Sequence, residues 1–233
     1  MLQTRPKILA FDVFGTVVDW HGSIMREVEE LIPGIDANAF ALAWRAGYAP
    51  AMQRVMSGEL GWTLIDDLHR MILDEILVEF GVDSLSEAQK KHLNKAWHRL
   101  DGWPDSSPGL KRLKQSFTIC SLSNGNLGLL SNMAKRADLA WDCILSAEVF
   151  RAYKPHPDTY LGVAKVFDVK PEEVMLVAAH HNDLAAARGC GLQTAYIERP
   201  LEYGATQVKD VSPRSGNTLH ARDFIQLAEI LSV

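Results

Sequence analysis

The chain has little cysteine, no long apolar run and no cluster of basic residues, and each shortage removes a class of protein. Three cysteines in 233 residues, Cys120, Cys143 and Cys190, are odd in number, widely spaced and without a CxxC pair. They support neither a disulfide framework nor a zinc or redox motif, and read as ordinary buried thiols. No apolar stretch approaches the roughly 20 residues that span a bilayer. The opening MLQTRPK lacks the apolar core of a secretory signal, so the expected location is cytoplasmic, with no membrane partner. The 24 Lys and Arg against 29 Asp and Glu leave a net charge of -5 with no dense basic run, which speaks against nucleic acid as a partner. Small molecules remain. Internal repeats and low-complexity segments are also missing, and the length suits one large domain or a core with a smaller insert.

Apolar runs with strand character recur at 8–11, 117–122, 144–145, 174–179 and 193–197. Helix-like segments separate the later ones: 126–136 after the Asn124–Gly125 turn, 157–167 opening on Pro157, and 183–188 stopped by Gly189. Strands alternating with helices of this length predict an α/β fold with a parallel sheet covered on both faces. Between 21 and 100 the pattern is helical throughout. Leu64, Leu68, Ile72 and Ile76 recur every four residues, with Asp66, Asp67, Arg70 and Asp74 on the other side. The expected organisation is a Rossmann-like core of residues 1–20 and 101–233 with a helical cap, 21–100, inserted after the first strand. Such an insert would hang over the C-terminal edge of the sheet, where ligands bind in open α/β folds. Residues 199–218, with RPLEYG and SPRSGN, are the expected loose segment.

Polar groups stand at four strand ends in this scheme. Asp12 and Thr16 follow the first strand and Ser123 and Asn124 the second; Lys154 sits in YKP, and His180 and Asp183 in AAHHND. Asp12 alone would serve as well as a strand cap, Lys154 as a surface lysine, and Asp183 as a helix N-cap. Together, at one edge of a parallel sheet, they supply a carboxylate nucleophile, a hydroxyl and amide pair, an ammonium and a second carboxylate.

The motifs FDVFGTVVDW, SLSNGN at 121–126, YKPHPDTY at 153–160 and VAAHHND at 177–183 resemble the haloacid dehalogenase superfamily, and within it the type II L-2-haloacid dehalogenases. The resemblance covers nearly the whole chain. It implies a hydrolytic dehalogenase that turns short (S)-2-haloacids or haloacetates into 2-hydroxyacids. Asp12 would be the nucleophile, attacking C2 to form an ester. No cofactor and no metal are implied; the small-molecule partners are the haloacid and the halide, and similar enzymes are often homodimers. Phosphatases of the superfamily generally carry a second Asp two residues after the nucleophile, to protonate the leaving alcohol. Here that residue is Phe14, which has no proton to give. A magnesium-dependent phosphatase and a non-catalytic binding protein are the alternatives.

On this scheme Lys154 keeps Asp12 ionised, and Asp183 orients or deprotonates the water that hydrolyses the ester. Thr16 bonds Asp12 or its loop, and Tyr160 orients Lys154. The resemblance makes Arg45 the acceptor of halide. Ser123, Asn124 and the following turn would hold the substrate carboxylate. Phe14, Trp44, Tyr48 and Trp62 are candidate apolar walls, the two tryptophans serving equally as helix packing. Familiar members of the family carry a serine, an asparagine and a tryptophan where this chain has Ala178, His180 and Asn182. His180 is then either a donor to Lys154 or the water, or a satisfied core histidine, and a tighter, more polar pocket would favour a small halide such as fluoride.

Overall fold

The computed structural model describes residues 4–233; the first three residues of MLQTRPK lie outside the described residues. The chain forms β1 (Ile8–Phe11), β2 (Val18–Asp19), α1 (Trp20–Leu31), α2 (Ala37–Met56), α3 (Ile65–Glu79) and α4 (Glu87–Asn94). A short 3-10 turn at Lys95–His98 leads to β3 (Asp101–Gly102), α5 (Ser106–Leu113), β4 (Thr118–Ser123), α6 (Leu127–Arg136), β5 (Cys143–Ser146) and α7 (Ala147–Phe150). After these come α8 (Pro157–Val166), β6 (Val174–Ala178), α9 (His181–Gly189), β7 (Gln193–Ile197), β8 (Leu219–Ala221) and α10 (Phe224–Ile230). Among the described residues no helix is long and apolar enough to cross a membrane.

Six strands form one parallel sheet in the order β5-β4-β1-β6-β7-β8. β1 is central, paired with β4 on one side and β6 on the other, and all four of its residues are buried. A strand covered on both faces has to be apolar throughout, which is why ILAF shows no alternation. Its neighbours on each side reverse the direction of chain winding, so the crevice at the end of β1 is the switch point where such sheets bind ligands.

β2 and β3 pair antiparallel where the chain leaves the sheet for the helices and where it returns. The intervening helices are amphipathic, and Leu68, Ile72 and Ile76 of α3 are buried as their spacing predicts, while Leu64 is the N-cap residue. One continuous apolar cluster joins Leu9 and Phe11 of the sheet to Trp20, Phe40, Trp44 and Trp97 of the helical segment. Burying each such aromatic side chain contributes about 1.5–3 kcal/mol, so the helices are held to the sheet by packing as well as by the two chain crossings.

Two features depart from the sequence pattern. β8 has no counterpart among the expected strands; at three residues, LHA, it is too short for periodicity to reveal. The segment 199–218 is not uniformly loose. Arg199 forks onto Asp105 at 2.9 and 2.8 Å, its Nε donates to the Thr16 carbonyl, and Glu202 is fully buried.

Candidate active site

Asp12 lies one residue beyond β1, and its backbone N–H still donates to Val177 of β6 at 3.0 Å. Burial on this edge would by itself push the carboxyl pKa up. The Lys154 ammonium outweighs that, helped by His180, and holds Asp12 well below the usual carboxylate range. The two carboxylate oxygens are held differently. Oδ1 accepts one bond, from Lys154 Nζ at 2.8 Å. Oδ2 accepts two, from the Thr16 hydroxyl at 2.6 Å and from His180 Nδ1 at 3.0 Å.

Thr16 is presented by a tight turn in which Val17 and Val18 both donate to the Val13 carbonyl. Its hydroxyl also accepts from the Ala179 N–H at 2.9 Å, which ties the end of β6 to the loop after β1. Lys154 is anchored by its backbone N–H, which donates to Asn124 Oδ1 at 2.8 Å. Its side chain bridges Asp12 and Asp183, with 2.6 Å to Asp183 Oδ2. Burial would lower its pKa, but the two carboxylates raise it above the ordinary lysine value, so the ammonium stays charged. Asp183 stands in the first turn of α9, where a helix N-terminus favours a carboxylate.

The cavity in front of Asp12 is about 360 Å³ and is lined by Phe14, Arg45, Tyr48, Met52, Asn124, Lys154 and Asp183 among others. That is ample room for a small molecule. Arg45 spreads over the Tyr48 ring, 4.2 Å from its centroid, and faces Trp20 at 5.7 Å. Phe14 is fixed edge-on by Tyr48, His69 and Trp97 at 6.3, 6.4 and 5.9 Å between ring centroids. A larger cavity, about 550 Å³, lies between Lys95, His98, Arg99, Asn132, Lys135 and Arg136. It has no carboxylate in its lining, and most of its cations are paired with Asp66, Glu27 and Asp101. Among the described residues, no group of three or more His, Cys, Asp or Glu is placed to hold a metal ion.

Several residues stand elsewhere than the sequence pattern suggests. Trp44 is not a wall of the cavity: it is fully buried against His69, with its indole N–H donating to the His69 carbonyl at 2.9 Å. Trp62 is not a wall either, since it stacks on Tyr153, with ring centroids 5.0 Å apart. Ser123 is buried and its hydroxyl accepts from the Gly125 N–H, so it shapes the turn while Asn124 reaches the cavity. Tyr160 donates to Asp183 Oδ1 at 2.7 Å rather than to Lys154. His180 contacts Asp12 and Glu202 instead of Lys154.

Glu202 is the residue that sequence reasoning missed. Its Oε1 is 2.7 Å from His180 Nε2, and its Oε2 accepts from Lys209, whose ammonium also donates to the Ala179 carbonyl. Burial would raise the Glu202 pKa, but His180 and then Lys209 bring it down to about 2. For His180, burial acts downward, and Glu202 with Asp12 overcomes it, raising the imidazole to about 9. Tyr203 and Met52 were likewise missed as lining residues.

A buried carboxylate just past the central strand, an ammonium shared with a second carboxylate, and helices between the first and second long strands accompany a match to haloacid dehalogenase-like hydrolases. A family model of that description matches residues 6–191. The chain is 30% identical over 208 residues to (S)-2-haloacid dehalogenase 4A of Burkholderia cepacia, covering 85% of this chain and 87% of the relative. The crystal structure of a defluorinating L-2-haloacid dehalogenase superposes with a TM-score of 0.94 at 43% identity, over 98% of this chain and 96% of that one. A second L-2-haloacid dehalogenase structure gives 0.92 at 42% identity, over 98% and 100%. The chain therefore belongs to the L-2-haloacid dehalogenase family of the haloacid dehalogenase superfamily.

Proposed function

We propose that this protein is a hydrolytic dehalogenase that converts short (S)-2-haloacids or haloacetates to 2-hydroxyacids and halide through an ester on Asp12. The observation that carries it is the asymmetry of Asp12, which lines the cavity: an ionised carboxylate whose Oδ2 is held by two donors and whose Oδ1 is held by one. Oδ1 attacks C2 of the haloacid in line with the leaving halide, and the C2–halogen electron pair departs with the halide. Arg45 receives that anion, and Asn124 with the turn before α6 receives the substrate carboxylate. Residues 21–100 act as a cap that contributes Arg45, Tyr48 and Met52 and keeps bulk water from the reacting carbon.

In the second half-reaction water attacks Cγ of Asp12 and gives its proton to Asp183. The Cγ–Oδ1 bond then breaks. Lys154, which touches both Oδ1 and Asp183, passes the proton to the departing 2-hydroxyacid oxygen. Phe14 argues against the phosphatase alternative, because the proton donor that an alcohol leaving group requires is replaced by a ring packed on three aromatic neighbours.

Halide release from chloroacetate, fluoroacetate and each enantiomer of 2-chloropropionate, with and without EDTA, tests this reading. Release that persists in EDTA and prefers the (S) enantiomer is the expected outcome. Magnesium-dependent phosphate release with no halide from any of them overturns it. Fluoroacetate is included because the 43% identical relative is a defluorinating enzyme.

A further inference from the structure

We propose that His180 is a catalytic residue of the second half-reaction: as an imidazolium it forms, with Thr16, the oxyanion cradle of ester hydrolysis, and Glu202 and Lys209 position it. The proposal rests on the ester reading above.

Once Oδ1 is alkylated, Oδ2 is the carbonyl oxygen of the ester. Attack of water on Cγ moves the C=O π pair onto Oδ2, so negative charge develops on the atom that Thr16 and His180 already touch at 2.6 and 3.0 Å. Donors in place before the charge appears need no reorganisation, which is where such cradles draw most of their effect. Collapse returns the pair to the carbonyl as the Cγ–Oδ1 bond breaks, and His180 keeps its proton throughout.

A general-base role for His180 fails on geometry. Each ring nitrogen faces a carboxylate oxygen, Asp12 Oδ2 on one side and Glu202 Oε1 on the other. Both nitrogens are therefore donors, and neither has a lone pair for water. The groups facing the ring from all sides are Asp12 after β1 and Glu202 with Lys209 after β7; Lys154 and Asp183 stand beyond Asp12. Glu202 has no exposure, contacts no part of the cavity and has only Trp20 Nε1, at 3.4 Å, besides His180 and Lys209. A buried carboxylate carrying that set orients and charges the imidazole, and Lys209 in turn offsets the burial of Glu202.

The test separates the two half-reactions. With (S)-2-chloropropionate, His180→Leu, which removes the donor to Oδ2, is expected to retain a first-turnover burst of about one halide per site, while steady-state turnover falls on the order of 100-fold. Quenched protein should then carry the substrate residue esterified to Asp12, visible by intact mass. Thr16→Val removes the other donor without touching Glu202, and is expected to accumulate the same adduct; it decides the matter if His180→Leu does not fold. Glu202→Gln should give a weaker version, with the alkaline limb of the rate moved from about 9 toward the ordinary histidine value. Burst and steady state lost in parallel, with no adduct in either donor variant, overturns the assignment. Single turnover of the unaltered enzyme in H₂¹⁸O judges the ester reading separately. Label in Asp12 without adduct in the variants overturns only the cradle, and no label in Asp12 overturns both.

Discussion

Glu202 occupies the space that a side chain on Gly15 would fill. A Cβ built on Gly15 would stand 2.2 Å from Glu202 Oε1, and Gly15 has φ +79°, in the left-handed region. The two residues are far apart in sequence, yet the turn that presents Thr16 to Asp12 is shaped around the carboxylate that holds His180. The two donors to Asp12 Oδ2 thus depend on one close approach.

Gly15→Ala is therefore expected to injure both stability and the second half-reaction. The left-handed conformation costs an alanine roughly 1–2 kcal/mol, and displacement of Glu202 adds to it. A thermal melt should fall by several degrees, and esterified Asp12 should build up during turnover. Unchanged melting and turnover would contradict the packing described.

Lys154→Met should be among the most damaging single changes. It leaves Asp12 and Asp183 facing each other without their shared cation, and breaking a buried pair in this way costs about 3–5 kcal/mol. Buried Asp12, no longer held down by the ammonium, then gains by protonation, so the stability loss should be larger at pH 8 than at pH 5. Denaturant titrations at the two pH values measure it, and halide release should be lost at both.

The pH profile follows from the imidazole. His180 is raised from 6.5 to about 9 in the folded protein, so its contribution to stability is complete below about 6.5 and is lost as pH rises through about 9. Glu202 works in the opposite direction. Lowered from 4.5 to about 2, it stabilises above about 4.5, and that contribution is lost as pH falls through about 2. Turnover should fall above about pH 9 with the ester accumulating, whereas the halide burst should persist there because Asp12 and Lys154 keep their charges. Stopped-flow halide detection across pH 6–10 checks both limbs.

Arg45→Gln should slow the first half-reaction, by about 100-fold for chloride. The penalty should grow from bromide to chloride to fluoride, because a smaller departing anion concentrates more charge. Burst rates with the three haloacetates measure the order. Equal losses for all three would place Arg45 outside the halide site.

The sequence by itself determined the sheet and the chemistry at its edge. ILAF, the runs around β4, β6 and β7, and the punctuation by Gly and Pro specify parallel strands, and parallel strands end on the same side. Asp12, Lys154 and Asp183 meet for that reason, and Phe14, two residues after Asp12, leaves no second carboxylate at that position. Tertiary structure alone decided which side chains surround them. A helical period tells which face of α2 is buried and not which neighbour it meets, so Trp44 packs against His69, and Trp62, ahead of α3, against Tyr153. Glu202 and Lys209 lie in a segment with no periodicity, and what makes them part of the site is the return of the chain after β7 over Gly15 and His180. Local pattern encodes which residues are buried; contacts between residues nearly two hundred positions apart exist only once the chain has closed.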